Sequence, residues 1–146
     1  PNGTCTRAQI VTILYRLAAS PSVSGASFSD VTAGAWYADA VAWANANGIV
    51  NGLADGSFAP DEAVTREQLA VILYRYAQYA KRDTSAAAGL SGYTDGGAVS
   101  SYAGTAMAWA NAEGLITGTD GNALLPRSSA TRAQVAAILM RFLENA

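Results

Sequence analysis

The chain has 146 residues, 51% of them hydrophobic and only 14% charged, with a net charge of −2, no histidine and one cysteine. That length fits one domain and can bury roughly 70% of the surface its unfolded chain exposes. Nucleic-acid binding is excluded by the lack of a basic stripe. A membrane span is excluded because no apolar run approaches about 20 residues. An internal disulfide or a multi-cysteine metal site is excluded by the single Cys5.

There is no initiator Met and no signal-like start, so the sequence is expected to be a processed product or an excised piece. The first element opens at Thr6-Arg7-Ala8-Gln9. Ser/Thr-x-x-Glu/Gln before an apolar run is the capping-box pattern: the Thr6 hydroxyl accepts from the Gln9 N–H, and the Gln9 side chain reaches back to Thr6. Cys5 before the cap and Ile10 after it make a hydrophobic staple, so Cys5 reads as a small packed hydrophobe. Ile10, Ile13, Leu14 and Leu17 then follow the i, i+3, i+4, i+7 spacing of an amphipathic helix.

A Pro/Gly/Ser loop over Ser20–Ser27 leads to Phe28-Ser29-Asp30-Val31. An Ala-rich helix is expected over roughly 36–47, with Trp43 in its core face and Gly48 as the left-handed residue that ends it. Asp55-Gly56 signals a turn. A second capping box, Thr65-Arg66-Glu67-Gln68, opens the next amphipathic helix, with Leu69, Ile72, Leu73 and Tyr76 on its apolar face. A loop near Lys81–Gly92 follows, and then the series repeats. It runs through Tyr93-Thr94-Asp95, an Ala-rich helix over 102–113 with Trp109, Gly114, Asp120-Gly121, and Thr131-Arg132-Ala133-Gln134 before Val135, Ile138, Leu139 and Phe142. No strand of useful length is evident.

The repetition is the strongest feature of the sequence. Pro60, Thr65 and Arg66 recur 66 positions later as Pro126, Thr131 and Arg132, and Trp43 and Gly48 recur as Trp109 and Gly114. PNGTCTRAQ (1–9) aligns with PDEAVTREQ (60–68). The chain therefore divides into the end of a first repeat (1–19), a second (20–85) and a third (86–146), all within one domain. The first repeat lacks its front half. Three equivalent amphipathic helices, each too short to stand alone, are expected to pack together. The fold class is all-α, a pseudo-threefold helical bundle.

The capping box accounts for Thr and Gln but not for Arg7, Arg66 and Arg132. These sit at the first helical position, where the dipole disfavours a cation by a few tenths of a kcal/mol. One reading is an anion receptor, since free N–H groups and a guanidinium together bind carboxylate or phosphate. The other is a salt bridge to Asp30 or Asp95, and the two can coexist. Arg16, Arg75 and Arg141 lie near helix C-termini, where a cation is favoured, and read as structural. Trp36 and Tyr102 occupy matched positions shortly after each Asp, either as core or as sugar-stacking rings; Trp43 and Trp109 read as core.

Catalysis is not expected. Without histidine the Ser/His and Cys/His arrangements are absent. Asp30 and Asp95 are repeat-equivalent rather than convergent, unlike a glycoside-cleaving carboxylate pair. No metal or cofactor is expected either: Asp55-Gly56 and Asp120-Gly121 each offer one carboxylate, and calcium wants several oxygens.

At FSDV (28–31), WYADAVAWANANGIVNG (36–52), FAPDEAVTREQLAVILYRYA (58–77) and their third-repeat counterparts, the sequence resembles the S-layer homology domain family over essentially its whole length. The resemblance implies a three-pronged pseudo-trimer around a central helical bundle. It also implies an extracellular module that anchors exported proteins of mostly Gram-positive bacteria to the cell wall. The implied partner is an anionic secondary cell-wall polysaccharide, often pyruvylated, bound in grooves between repeats. The matching ligand-binding positions are Arg7, Asp30, Trp36, Arg66, Asp95, Tyr102 and Arg132. The alternative is a structural module whose partners are neighbouring surface-layer subunits. Three departures from the family pattern stand out. Gln replaces the usual Glu in all three Thr-Arg motifs, Tyr93-Thr94-Asp95-Gly96 stands for Phe-Ser-Asp-Val, and Ser101-Tyr102 stands for Trp36-Tyr37.

Overall fold

The computed structural model describes residues 3–23, 28–32, 34–51, 56–119 and 121–145, so Asp55 and Asp120 lie outside the described residues. These fall into two compact units, Cys5–Ala63 and a second made of Val64–Ala146 with Pro1–Thr4. Five α-helices and two 3-10 turns carry the structure. Three isolated β-bridges occur, and among the described residues there is no strand. The all-α expectation holds.

In the Cys5–Ala63 unit, α1 (Arg7–Leu17) starts as its sequence dictates. Gln9 N–H donates to Thr6 Oγ1 at 3.1 Å and Thr6 N–H donates to Gln9 Oε1 at 2.8 Å, which closes the capping box. Cys5, Ile10, Val11 and Leu14 are buried, whereas Leu17 is 43% exposed, so the apolar stripe stops one turn earlier than its spacing suggests. α2 (Ala38–Ala46) has no side-chain cap. Trp36 and Tyr37 form a turn ahead of it, which is why it begins later than residue 36. Gly48 at φ +72° turns the chain so that Ile49 N–H returns to Ala44 O at 2.8 Å, and Ile49 and Val50 enter the core. The buried Trp43 of α2 lies against Tyr15 of α1, ring centroids 5.5 Å apart.

The second unit repeats this construction. α3 (Arg66–Tyr79) and α5 (Arg132–Glu144) open at complete capping boxes on Thr65 and Thr131. α4 (Gly104–Ala112) is preceded by a 3-10 turn at Ser101–Ala103, so the expected helix over 102–113 is tighter at its start. Trp109 is buried between Tyr74 (5.5 Å) and Phe142 (6.3 Å). Trp43 and Trp109 are core residues, as their periodicity indicates. Each helix start also donates its first N–H to a carbonyl three residues before another cap. The bonds are Arg7 to Glu62 O (2.9 Å), Arg66 to Ser128 O (3.0 Å) and Arg132 to Gly3 O (2.8 Å). These bonds satisfy donors that a helix start otherwise leaves orphaned.

One helix face breaks the repetition. The α1 residues Ala8, Val11 and Thr12 are buried, as are their α3 counterparts Glu67, Ala70 and Val71. The α5 counterparts Ala133, Ala136 and Ala137 are exposed, and Met140 next to them is 64% exposed.

Candidate functional site

The arginine of each Thr-Arg-x-Gln motif leaves its helix at the first turn, which aims it at the loop preceding the next motif. In the Cys5–Ala63 unit, Arg7 Nε donates to Phe58 O at 2.9 Å and its guanidinium lies 4.8 Å from the Phe58 ring centroid. Asp30 grips the same peptide from its donor side: Oδ1 accepts from Phe58 N and Oδ2 from Ala59 N, both at 2.8 Å. The second unit copies the arrangement. Arg66 Nε donates to Leu124 O at 2.7 Å and Nη2 to Thr117 O at 3.2 Å. Asp95 accepts from Leu124 N at 2.7 Å and from Leu125 N at 2.9 Å.

The clamped peptide is a strained one. Ala59 has φ +60° and Leu125 φ +51°, left-handed values that cost a non-glycine residue about 1–2 kcal/mol. Two carboxylate-held N–H groups and a guanidinium-held carbonyl keep that conformation in place. The electrostatics follow the geometry. The Leu124 and Leu125 N–H groups hold the Asp95 carboxyl below the usual carboxylate range, with a smaller contribution from the Arg66 charge. Burial lowers the Arg66 guanidinium's proton affinity, and Asp95 works in the opposite direction. Arg7 with Asp30, and Arg66 with Asp95, thus grip one peptide from its two sides.

Arg132 behaves differently. Its side chain is exposed and runs past Gly3, where a Cβ would lie 3.4 Å from Arg132 Nε. Trp36 and Tyr102 are not core residues: they are 64% and 57% exposed. Tyr37 and Ala103 are the N-caps of α2 and α4, so Tyr102 is the structural counterpart of Trp36, and Ser101-Tyr102 matches Ala35-Trp36 rather than Trp36-Tyr37.

A pocket of about 180 Å³ opens in the second unit beside the clamp. Arg66, Thr117, Gly118, Gln134, Ala137 and Arg141 line it, and among the described lining residues there is no carboxylate. Gly118 is required there, because a Cβ would come within 2.9 Å of the Tyr93 ring. Two arginines on the wall of one small cavity can together receive an anion, with Asp95 the opposite charge already acting on Arg66. Asp95 and Tyr102 are not part of this lining. Asp95 borders a separate pocket of about 290 Å³ with Arg127 and Ser128.

Arg141 lies near the C-terminal end of α5, where the sequence reading put it for helix-end electrostatics, and it also lines this pocket. It is exposed and faces the pocket from the last turn of α5. One residue was missed altogether. Glu67 is 3% exposed and accepts from Ser100 N (2.9 Å), Ser100 Oγ (2.6 Å) and Tyr102 Oη (3.1 Å). Its one signal in the sequence is that alanine stands at the equivalent positions 8 and 133. Among the described residues no cluster of His, Cys, Asp or Glu is placed to hold a metal, and no helix is long and apolar enough to cross a membrane.

The sequence model of the S-layer homology domain matches residues 27–70 and 92–136, more than half of the chain. Relatives align along 99% of it. An amylopullulanase of Thermoanaerobacterium thermosulfurigenes is 34% identical, and a surface-layer 125 kDa protein of Lysinibacillus sphaericus is 32% identical. A cellulosome-anchoring protein of Acetivibrio thermocellus is 26% identical. The chain spans 8%, 12% and 33% of the lengths of these three proteins. Repeats, capping boxes and matched segments agree: the chain belongs to the S-layer homology domain family.

Proposed function

We propose that this chain is a non-catalytic anchoring module that holds its protein at the cell wall by binding an anionic secondary wall polysaccharide. The observation that carries this reading is the pocket that Arg66 and Arg141 both line. A ketal-linked pyruvate, with one carboxylate on a sugar ring, has the charge and size for such a cavity. Relatives named for the surface layer and for cellulosome anchoring support a surface location; the wall proposed is that of a Gram-positive bacterium. In this reading Trp36 and Tyr102 are exposed rings for sugar faces. Arg7, Arg66, Asp30 and Asp95 shape the loops beside them, and Arg132 is an additional cation for the polymer. The repeats at 1–19, 20–85 and 86–146 act together as one domain. The amylopullulanase relative carries this segment as 8% of its length, which fits a module separate from catalysis.

The exposed face of α5 at Ala133, Ala136, Ala137 and Met140 favours a second reading, assembly with neighbouring surface-layer subunits. One experiment separates them. The chain is sedimented with bacterial cell walls before and after chemical extraction of the secondary polymer, at low and high salt, beside Arg141→Ala. Losing a charge-assisted contact is expected to weaken binding about tenfold or more. Binding that survives both extraction and the substitution refutes the polysaccharide reading and leaves assembly.

A further inference from the structure

The two exposed aromatic rings are supported in different ways. In the Cys5–Ala63 unit, Trp36 is met edge-on by Tyr37, centroids 5.0 Å apart. In the second unit the residue after Tyr102 is Ala103, so no ring follows it. In place of a ring Tyr102 has Glu67, a carboxylate buried on α3 whose two oxygens take the Tyr102 hydroxyl and both donors of Ser100. The equivalent residues in the other two motifs are Ala8 and Ala133, which have no acceptor to offer. The arrangement is therefore specific to this one position.

We propose that Glu67 is a positioning residue that makes the Tyr102 surface a distinct subsite, selective for the apolar face of a neutral sugar residue. This rests on the anchoring function proposed above. The Tyr102 hydroxyl donates to Glu67, so what remains exposed is the ring. The hydroxyl is a good partner for the carboxylate because hydrogen bonds to charged acceptors are short and strong. Three bonds to one buried carboxylate fix the Ser100–Tyr102 segment, which lowers the entropy lost when a ligand stacks there. The negative charge at the hydroxyl edge of the ring disfavours an anionic substituent upon it. Acid groups of the polymer are directed to Arg66 and Arg141, and a neutral residue to Tyr102. Trp36, whose unit has Ala8 at the position of Glu67, accepts either kind. The two units thus read different residues of one polymer.

The test uses the whole chain and aromatic ¹³C–¹H NMR, in which Tyr102 is identified by its loss in Tyr102→Phe. The probes are a neutral N-acetylhexosamine oligosaccharide and its pyruvyl-ketal derivative. Tyr102 is expected to respond to the neutral probe, and Trp36 to both. In Glu67→Gln the Tyr102 affinity should fall about tenfold, with the Trp36 response unchanged. Tyr102→Phe keeps the ring but not the hydroxyl; it should show the same selective loss and remain folded, which keeps the test open if Glu67→Gln unfolds. Equal binding at the residue 102 ring in wild type, Glu67→Gln and Tyr102→Phe would overturn the positioning role while leaving the anchoring reading intact. A Tyr102 that ignores the neutral probe while Trp36 binds it also overturns it. If neither ring nor the Arg141 side chain responds to either probe, the anchoring reading falls as well.

Discussion

Replacing Arg66 by methionine keeps most of its apolar stem and deletes the guanidinium that holds Leu124 O at 2.7 Å and Thr117 O at 3.2 Å. Hydrogen bonds involving a charged partner contribute about 1.5–3 kcal/mol each. The two do not count equally. Leu124 is fully buried, so water cannot replace the lost donor, whereas Thr117 is exposed and its carbonyl rehydrates. The expected destabilisation is therefore about 2–3 kcal/mol, dominated by the Leu124 bond. For a chain of this size that corresponds to roughly 5–10 °C in melting temperature. Arg132→Met is the internal control: the motif is the same but the side chain is exposed, so the change should stay within about 0.5 kcal/mol. Both variants are measured by calorimetry and by urea unfolding followed through tryptophan fluorescence, beside wall binding. If Arg66→Met is as stable as Arg132→Met, the peptide clamp contributes nothing and the reasoning from burial is refuted. If it keeps its stability and loses wall binding, Arg66 serves the ligand alone.

Other outcomes follow from the same geometry. Thr65→Ala removes the acceptor for the Gln68 N–H, held at 3.2 Å, and should cost about 1 kcal/mol in chemical unfolding; Thr65→Ser, which restores it, should recover most of that. Asp95 has its carboxyl held below the ordinary range in the folded chain, so it stabilises at neutral pH, and that contribution is lost as pH falls through the carboxylate range. Asp95→Asn should flatten the acid limb of a stability-versus-pH curve, and an unchanged limb counts against the two-bond grip on Leu124 and Leu125. Trp109→Ala opens the core between Tyr74 and Phe142 and should cost about 3–5 kcal/mol. Met140→Ser on the exposed face of α5 should cost less than about 0.5 kcal/mol by thermal melting, and a large loss would mean that the face is covered in solution.

The features legible in the sequence are those whose partners lie within a few residues. All three capping boxes close as the Thr-Arg-x-Gln motifs indicate, because cap and acceptor are three residues apart and the helix start fixes their geometry. Gly48 and Gly114 end their helices in the left-handed conformation for the same local reason. Burial of Trp43 and Trp109 was readable from periodicity within one helix, and the family from the order and spacing of whole motifs. The roles of Arg7 and Arg66 were not readable. Their carbonyl partners lie 51 and 58 residues away, and only folding places Phe58 and Leu124 under them. Arg141 is the helix-end charge its position indicates, but that it also lines a pocket depends on the approach of Thr117 and Gly118. Met140 and Tyr74 occupy equivalent helix positions, yet the ring of Trp109 meets Tyr74 while Met140 remains open to solvent. Local chemistry determined where the three capping-box helices begin and where the two Ala-rich helices end. Which side chains are clamped, cradled or left exposed depends on what a distant segment brings against them, and that was decided only by the tertiary structure.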